Sequence, residues 1–207
     1  MKKIYYDTET TGLAPGNIVQ LSIIVEHEDG RLETKNYFFD IDYISEGAQK
    51  ACGRGLEFYK PASKGLRFKD YKDEILDIFK DAMLIAHNEK FDENFICTEF
   101  WRLGISYTPK AKFCTMEYFK DIIRIPGKGR YKYKNPSLSE LVDYFNIDKN
   151  KVKAYSDKLF DANENSEYGF HDARYDTTAM FVAFQIYREQ INNEEEDGNW
   201  KKAFTIE

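Results

Sequence analysis

The sequence predicts a single α/β domain around a mixed central β-sheet, with an antiparallel three-stranded start, parallel strands after it, and helices flanking both. Three observations predict it. Apolar, β-branched runs separated by Gly-containing turns fill the first forty residues. From about residue 70 onward, apolar residues recur at helical spacing and alternate with short apolar runs. The chain has 207 residues, 42% hydrophobic and 16% aromatic, which fills the core of one domain and excludes disorder for the chain as a whole.

The elements follow in order. Residues 3–6 form a short β-type run ending at Asp7. Residues 11–16 (TGLAPG) carry turn chemistry. Residues 18–26 read as a strand, Asp29-Gly30 as a hairpin turn, and residues 32–41 as the returning strand. Ile75, Leu76, Phe79, Ala82 and Met83 have helical spacing, while residues 83–86 also suit a short buried strand. Phe91, Phe95, Ile96, Phe100 and Leu103 mark a further helix, and residues 112–115 a further strand. Ser137-Leu138-Ser139-Glu140 is a capping box with Leu138, Leu141, Val142 and Phe145 as its apolar stripe. Tyr175, Ala179, Val182, Ala183 and Ile186 mark a final long helix. Residues 1–191 are expected to form the domain, and residues 192–207, opening on NNEEEDG, a short acidic and frayed tail.

Composition narrows the function classes. Thirty Lys and Arg against 36 Asp and Glu give a net charge of −6. That argues against a non-specific duplex binder but leaves a nuclease open, because metal-binding acids add to the negative count. No stretch approaches the roughly 18 apolar residues of a membrane span. The best run, residues 18–25, is interrupted by Gln20 and Ser22, so no membrane role is expected. Asp7 and Glu9 fall where a signal peptide would be apolar. Cys52, Cys97 and Cys114 are odd in number and far apart, so a reducing, cytoplasmic setting is expected.

Three clusters carry chemistry. In Asp7-Thr8-Glu9 the two carboxylates stand at i and i+2 of a strand and so project from one face. Like charges that close favour a cation between them, and hard oxygen ligands suit Mg²⁺ or Mn²⁺, but taken alone an Asp-x-Glu is a weak signal and a solvated strand end accounts for it. His87-Asn88-x-x-Phe91-Asp92 follows a short strand and opens a helix, so His87 and Asn88 also suit turn and capping roles. In His171-Asp172-Ala173-Arg174-Tyr175-Asp176, His171 and Asp176 would not share a helix face. His171 is expected in the loop before the helix and Asp176 in its first turns, with Asp172 a rival ligand.

Taken in order, these three motifs resemble those of the DnaQ-like 3′–5′ exonuclease superfamily, of the DEDD type with His in the third motif. The likeness runs from about residue 3 to residue 191, and the first motif, Asp7-Thr8-Glu9-Thr10-Thr11-Gly12-Leu13, most resembles proofreading subunits of bacterial replicative polymerases. The resemblance implies a ribonuclease H-like fold and two Mg²⁺ or Mn²⁺ ions on the terminal phosphodiester. Asp7 would be shared by both ions, Glu9 and Asp176 would hold one, and Asp92 the second. His171 would take the proton of the attacking water, and Thr10, Gly12 and Asn88 would contact the terminal nucleotide. The implied partner is a single-stranded DNA or RNA 3′ end, with a DNA polymerase as a possible associate. Many relatives carry a His-Gly-Ile-like element after the third strand; residues 48–55 here read AQKACGRG, without His.

Several alternatives stay open in the sequence. RNA 3′ trimming shares every site residue with DNA hydrolysis. A catalytically silent binding module usually lacks an acid, and none is missing. An aspartyl-phosphatase pair at Asp7 and Glu9 leaves the other two motifs without purpose. Gln20-Leu21-Ser22-Ile23-Ile24 looks like a sliding-clamp peptide but reads as a paired strand. In residues 125–136 (IPGKGRYKYKNP), cations alternate with tyrosines, either to track a nucleic-acid strand or as a solvated loop.

Overall fold

The computed structural model describes residues 1–13, 16–162 and 168–196, with backbone alone for 192–196. Its sheet has five strands in the order β3-β2-β1-β4-β5. Strands β1 (Lys3–Thr10), β2 (Ile18–Glu26) and β3 (Leu32–Phe38) form the antiparallel meander. Strands β4 (Met83–Ala86) and β5 (Ala111–Cys114) add in parallel beside β1. Helices α1 (Glu46–Cys52), α2 (Leu56–Ser63) and α3 (Phe68–Phe79) lie between β3 and β4. Helix α4 (Glu89–Arg102) joins β4 to β5, and α5 (Thr115–Ile123), α6 (Leu138–Tyr144), α7 (Lys149–Leu159) and α8 (Ala173–Glu196) follow.

Strand alternation divides the core. Ile4 and Tyr6 of β1 pack with Leu21, Ile23 and Val25 against α3 and α4, where Ile75, Phe79, Phe95 and Phe100 are buried. Tyr5 points the other way, onto Met180 and Phe181 of α8 with Ile24 and Ile85. Period two then carries Asp7 and Glu9 to the α8 side and Thr8 to the α4 side. Strand β1 pairs with β4 only over Lys3 to Tyr5, yet it continues beside β2 to Thr10. Its acidic end therefore stands beyond the carboxyl end of β4, where open α/β sheets place their ligand crevice.

Several sequence expectations need correcting. Regular pairing of the third strand ends at Phe38, and Phe39 and Ile41 turn into separate apolar clusters. Helix α3 stops at Phe79, because the backbone turns extended at Lys80 (ψ 134°) and then left-handed at Asp81 (φ 53°); Ala82 and Met83 lie outside it, and Met83 opens β4. Thr115 opens α5 rather than closing β5. The final helix runs to Glu196, so residues 192–196 are helical rather than frayed, while the rest of the acidic tail lies outside the described residues. The Ser137 capping box forms, with Ser137 accepting from the Glu140 N–H and Glu140 accepting from the Ser137 N–H. The clamp-like peptide sits inside β2, buried and paired on both sides. Among the described residues, no helix is long and apolar enough to cross a membrane.

Candidate active site

Asp7, Glu9, Thr10, Gly12, Asn88, Asp92, His171 and Asp176 all line one cleft of about 870 Å³ at the end of β1. Each reaches it for a local reason. Asp7 and Glu9 stand two residues apart on the α8 face, and a register shift between Glu9 and Thr10 bends the strand away after them. On the opposite face Thr8 holds Asp92 of α4: its N–H donates to Asp92 Oδ1 at 3.0 Å and its hydroxyl at 2.7 Å. Asp176 lies in the first turn of α8, and its Oδ2 accepts from the His171 N–H at 3.0 Å. His171 precedes the helix in a left-handed conformation (φ 68°) and is exposed.

The turn after β1 is fixed by close packing. The Thr10 hydroxyl donates to the Gly12 carbonyl at 2.9 Å. The Ser45 N–H donates to the Thr11 carbonyl at 2.9 Å, which seats the start of α1 on this turn. A Cβ on Gly12 would stand 3.2 Å from Ser45 Oγ, so the side chain that caps α1 would have to shift by a few tenths of an ångström. Asn88 occupies the N-cap position of α4 but makes no capping bond; its backbone is left-handed (φ 76°), which Asn tolerates better than most residues. His87 is a tether. Pro136's carbonyl can only accept, so Nε2–H donates to it (3.0 Å), and Nδ1 of the neutral ring accepts from the Thr115 hydroxyl (3.0 Å). Burial holds this imidazole down at about 4, against the smaller opposing pull of the Pro136 carbonyl.

Burial and mutual repulsion disfavour ionising these carboxylates together. Asp7 is pushed up to about 7, by burial first and by the charge of Asp172 second. Burial also raises Glu9, with Asp7 next. Asp92 is raised by burial and Asp7, although the Thr8 hydrogen bonds oppose this. Asp176 is raised by burial, Asp7 and Glu9, against the pull of the His171 N–H. Asp176 Oδ1 is buried and has no hydrogen-bond partner among the described residues. Donor atoms of Glu9, His171 and Asp176 lie within 4.8 Å of one another. An orphaned carboxylate oxygen among clustered acids fits a hard divalent cation, which would reverse the unfavourable charge.

Asp172, the rival ligand, is otherwise engaged. Its oxygens accept from Arg174 Nε and Nη2 at 2.9 and 2.8 Å, from Gln20 Nε2 at 3.1 Å, and from Arg54 Nη1. Burial pulls this carboxyl upward, but Arg174 and Arg54 outweigh it and hold it below the ordinary range. Arg54 comes from the segment that lacks the expected His, and its guanidinium sits 4.4 Å over the Phe58 ring. Ala48 and Ala51, from the segment singled out only for the His it lacks, form a cleft wall with Tyr43, Ser45 and Gly47, which the sequence reading missed. No motif marks it, and the exposed, short α1 gives no apolar stripe.

Comparison with known proteins supplies the family. The exonuclease family designated RNase_T matches residues 4–184. The chain belongs to this exonuclease family. Among curated relatives, the 3′-5′ exonuclease DinG of Staphylococcus epidermidis is 35% identical over 149 residues, covering 70% of this chain and 15% of DinG. The PolC-type DNA polymerase III of Mycoplasmopsis pulmonis is 27% identical over 152 residues, covering 68% of this chain and 10% of the polymerase. The chain thus spans a small fraction of these relatives' length. Escherichia coli exonuclease I, solved with a dT13 oligonucleotide, superposes with a TM-score of 0.69 at 14% identity, covering 94% of this chain and 42% of that one. The product-bound structure of exonuclease I gives 0.68 at 13% identity, covering 92% and 44%. At that identity the superposition speaks for the fold, which is the ribonuclease H-like arrangement of a DnaQ-like exonuclease.

Proposed function

We propose that this member of the exonuclease family hydrolyses single-stranded DNA from the 3′ end, releasing nucleoside 5′-monophosphates with the help of divalent cations. One observation carries the reading: Asp176, whose buried Oδ1 has no hydrogen-bond partner among the described residues, lines a cleft with Asp7, Glu9 and Asp92. These four acids would hold two Mg²⁺ or Mn²⁺ ions. Bound there, the ions neutralise the clustered carboxylates and supply Lewis-acid activation of the phosphodiester and of water.

The chain's own residues do the rest. His171 stands exposed at the cleft with its backbone fixed by Asp176, and its imidazole accepts the proton of the attacking water. The Thr10–Gly12 turn and Asn88 meet the terminal nucleotide, for which a cleft of about 870 Å³ has room. Arg54 and Arg174 keep Asp172 turned from the ligand set. DNA is favoured as substrate because the relatives include a DNA polymerase and the fold neighbour was solved on dT13. The polymerase match also favours a replicative partner, and the three free cysteines a reducing cytoplasm.

The test is hydrolysis of matched 5′-labelled DNA and RNA oligonucleotides with Mg²⁺, with Mn²⁺ and with chelator, beside Asp7→Asn. A metal-dependent ladder shortening from the 3′ end, faster on DNA and absent in the variant, is expected. Equal activity in the variant or in chelator overturns the assignment, and a faster RNA ladder moves the substrate to RNA.

A further inference from the structure

The basic, Tyr-rich segment before α6 is a built hairpin. The Gly127 N–H donates to the Lys132 carbonyl at 3.0 Å, and the Lys134 N–H to the Ile125 carbonyl at 3.0 Å. Pro126 and Tyr133 pair as an antiparallel bridge. A Cβ on Gly127 would stand 2.4 Å from the Tyr131 carbonyl oxygen, so the two arms approach more closely than another residue permits.

The hairpin carries four cations and no acid over residues 125–134, in a chain of net charge −6. Lys134 is committed to Glu140, at 2.5 and 2.7 Å. Lys128, Arg130 and Lys132 are exposed and make no ion pair among the described residues. The Arg130 guanidinium lies 5.4 Å from the Tyr131 ring centre and the Lys132 ammonium 5.0 Å from that of Tyr133. Tyr131 itself is 60% exposed.

The hairpin is also anchored to the cleft. His87, a cleft residue, donates to the Pro136 carbonyl, and Leu138 lines the cleft two residues later. Lys132 is four residues from Pro136, so its Cα lies within about 14 Å of that anchor.

We propose that residues 125–134 are a docking strip for single-stranded nucleic acid, holding the backbone on the 5′ side of the nucleotide seated in the cleft. The proposal rests on the exonuclease reading for its direction. Lys128, Arg130 and Lys132 track phosphates, and Tyr131 offers a face for a base, the combination by which strands are held without sequence preference. An acidic protein partner would use the cations alone and leave an exposed tyrosine among them unexplained.

The experiment uses the full chain and a triple variant, Lys128→Gln, Arg130→Gln and Lys132→Gln, with Tyr131→Ala alongside. The p-nitrophenyl ester of thymidine 5′-monophosphate occupies the cleft alone, whereas an oligo-dT long enough to leave it reaches the hairpin. Both variants should cleave the ester at the unaltered rate. On oligo-dT, measured by fluorescence anisotropy in chelator, the triple variant should show a plot of log affinity against log salt shallower by up to about 2, at about 0.7 per phosphate contact on a single strand. Tyr131→Ala should weaken binding about fivefold or more. An unchanged slope and affinity overturn the strip. A protein that cleaves neither substrate overturns the exonuclease reading instead, and the anisotropy slope still decides the strip.

Discussion

Asp7→Asn separates a cation site from four acids that merely lie together. Without a cation, Asp7 is pushed from 3.8 to about 7. A carboxyl raised in the folded state contributes stability that is fully present below its unfolded value and is lost as pH rises through the folded one. Between those limits the full ionisation cost is about 4 kcal/mol, at about 1.36 kcal/mol per pH unit. The cleft is open to water, and screening that halves the cost leaves about 2 kcal/mol. The variant has no charge to bury. In chelator at about pH 8 it should therefore melt about 4–8 °C above the unaltered protein, a chain of this length shifting by about 2–4 °C per kcal/mol. At about pH 4, where Asp7 is protonated, the gap should close. Excess Mg²⁺ should raise the unaltered protein's melting temperature and move the variant's far less. Calorimetry across pH, with and without Mg²⁺, reads all three effects. A variant that melts lower in chelator near neutral pH, or gains as much from Mg²⁺ as the unaltered protein, refutes the reasoning.

Other predictions follow from the same geometry. His171→Ala should slow hydrolysis by roughly 10²–10⁴ while oligonucleotide affinity, measured by anisotropy, stays within about twofold; a smaller loss removes its role as base. Asp172→Asn should cost about 3–5 kcal/mol in urea melts, because Arg54 and Arg174 lose a buried partner, while Mg²⁺ stabilisation persists. Asp176→Asn should do the reverse, keeping the fold and losing the Mg²⁺ effect; matching behaviour of the two variants would return Asp172 to the ligand set. His87 is held neutral down to about 4, so its contribution is whole above about 6.5 and is lost as pH falls from there toward 4. The stability difference between the unaltered protein and His87→Gln should shrink by about 3 kcal/mol across that window, and a constant difference would refute the buried-neutral assignment.

What the sequence made legible was what local patterns encode. The meander, the paired β2, the Ser137 box and the α4 and α8 faces all follow from periodicity and caps. Helices α1 and α2 did not, because α1 buries no residue and α2 carries Pro61 inside it. Helix α7 buries only Val152 and Ser156, too thin a stripe to show a period. At the site, spacing left each motif open to a bland reading; the resemblance carried by the three motifs in order selected the acids, His171 and the Thr10, Gly12 and Asn88 contacts, all of which line the cleft. The work of Asp172 was hidden because its Arg54 partner lies 118 residues away, and a pairing at that distance leaves no mark on local pattern. His87 looked like a turn residue because its partners, Thr115 and Pro136, come from elements that meet only after folding.

Gln20 lies opposite Glu9 in the β1–β2 register, and the same side chain reaches Asp172 and accepts from the Ala173 N–H at 3.4 Å. One residue therefore senses both strand alignment and the seating of the final helix. A slip of one position between β1 and β2 would turn Gln20 to the other face and release the start of α8, taking Asp176 with it. Misaligned chains would keep Asp7, Glu9 and Asp92 together through Thr8 but would lack Asp176 and His171. In a refolding experiment, the recovered catalytic fraction should thus equal the correctly aligned fraction, and titrating activity would count native molecules one by one.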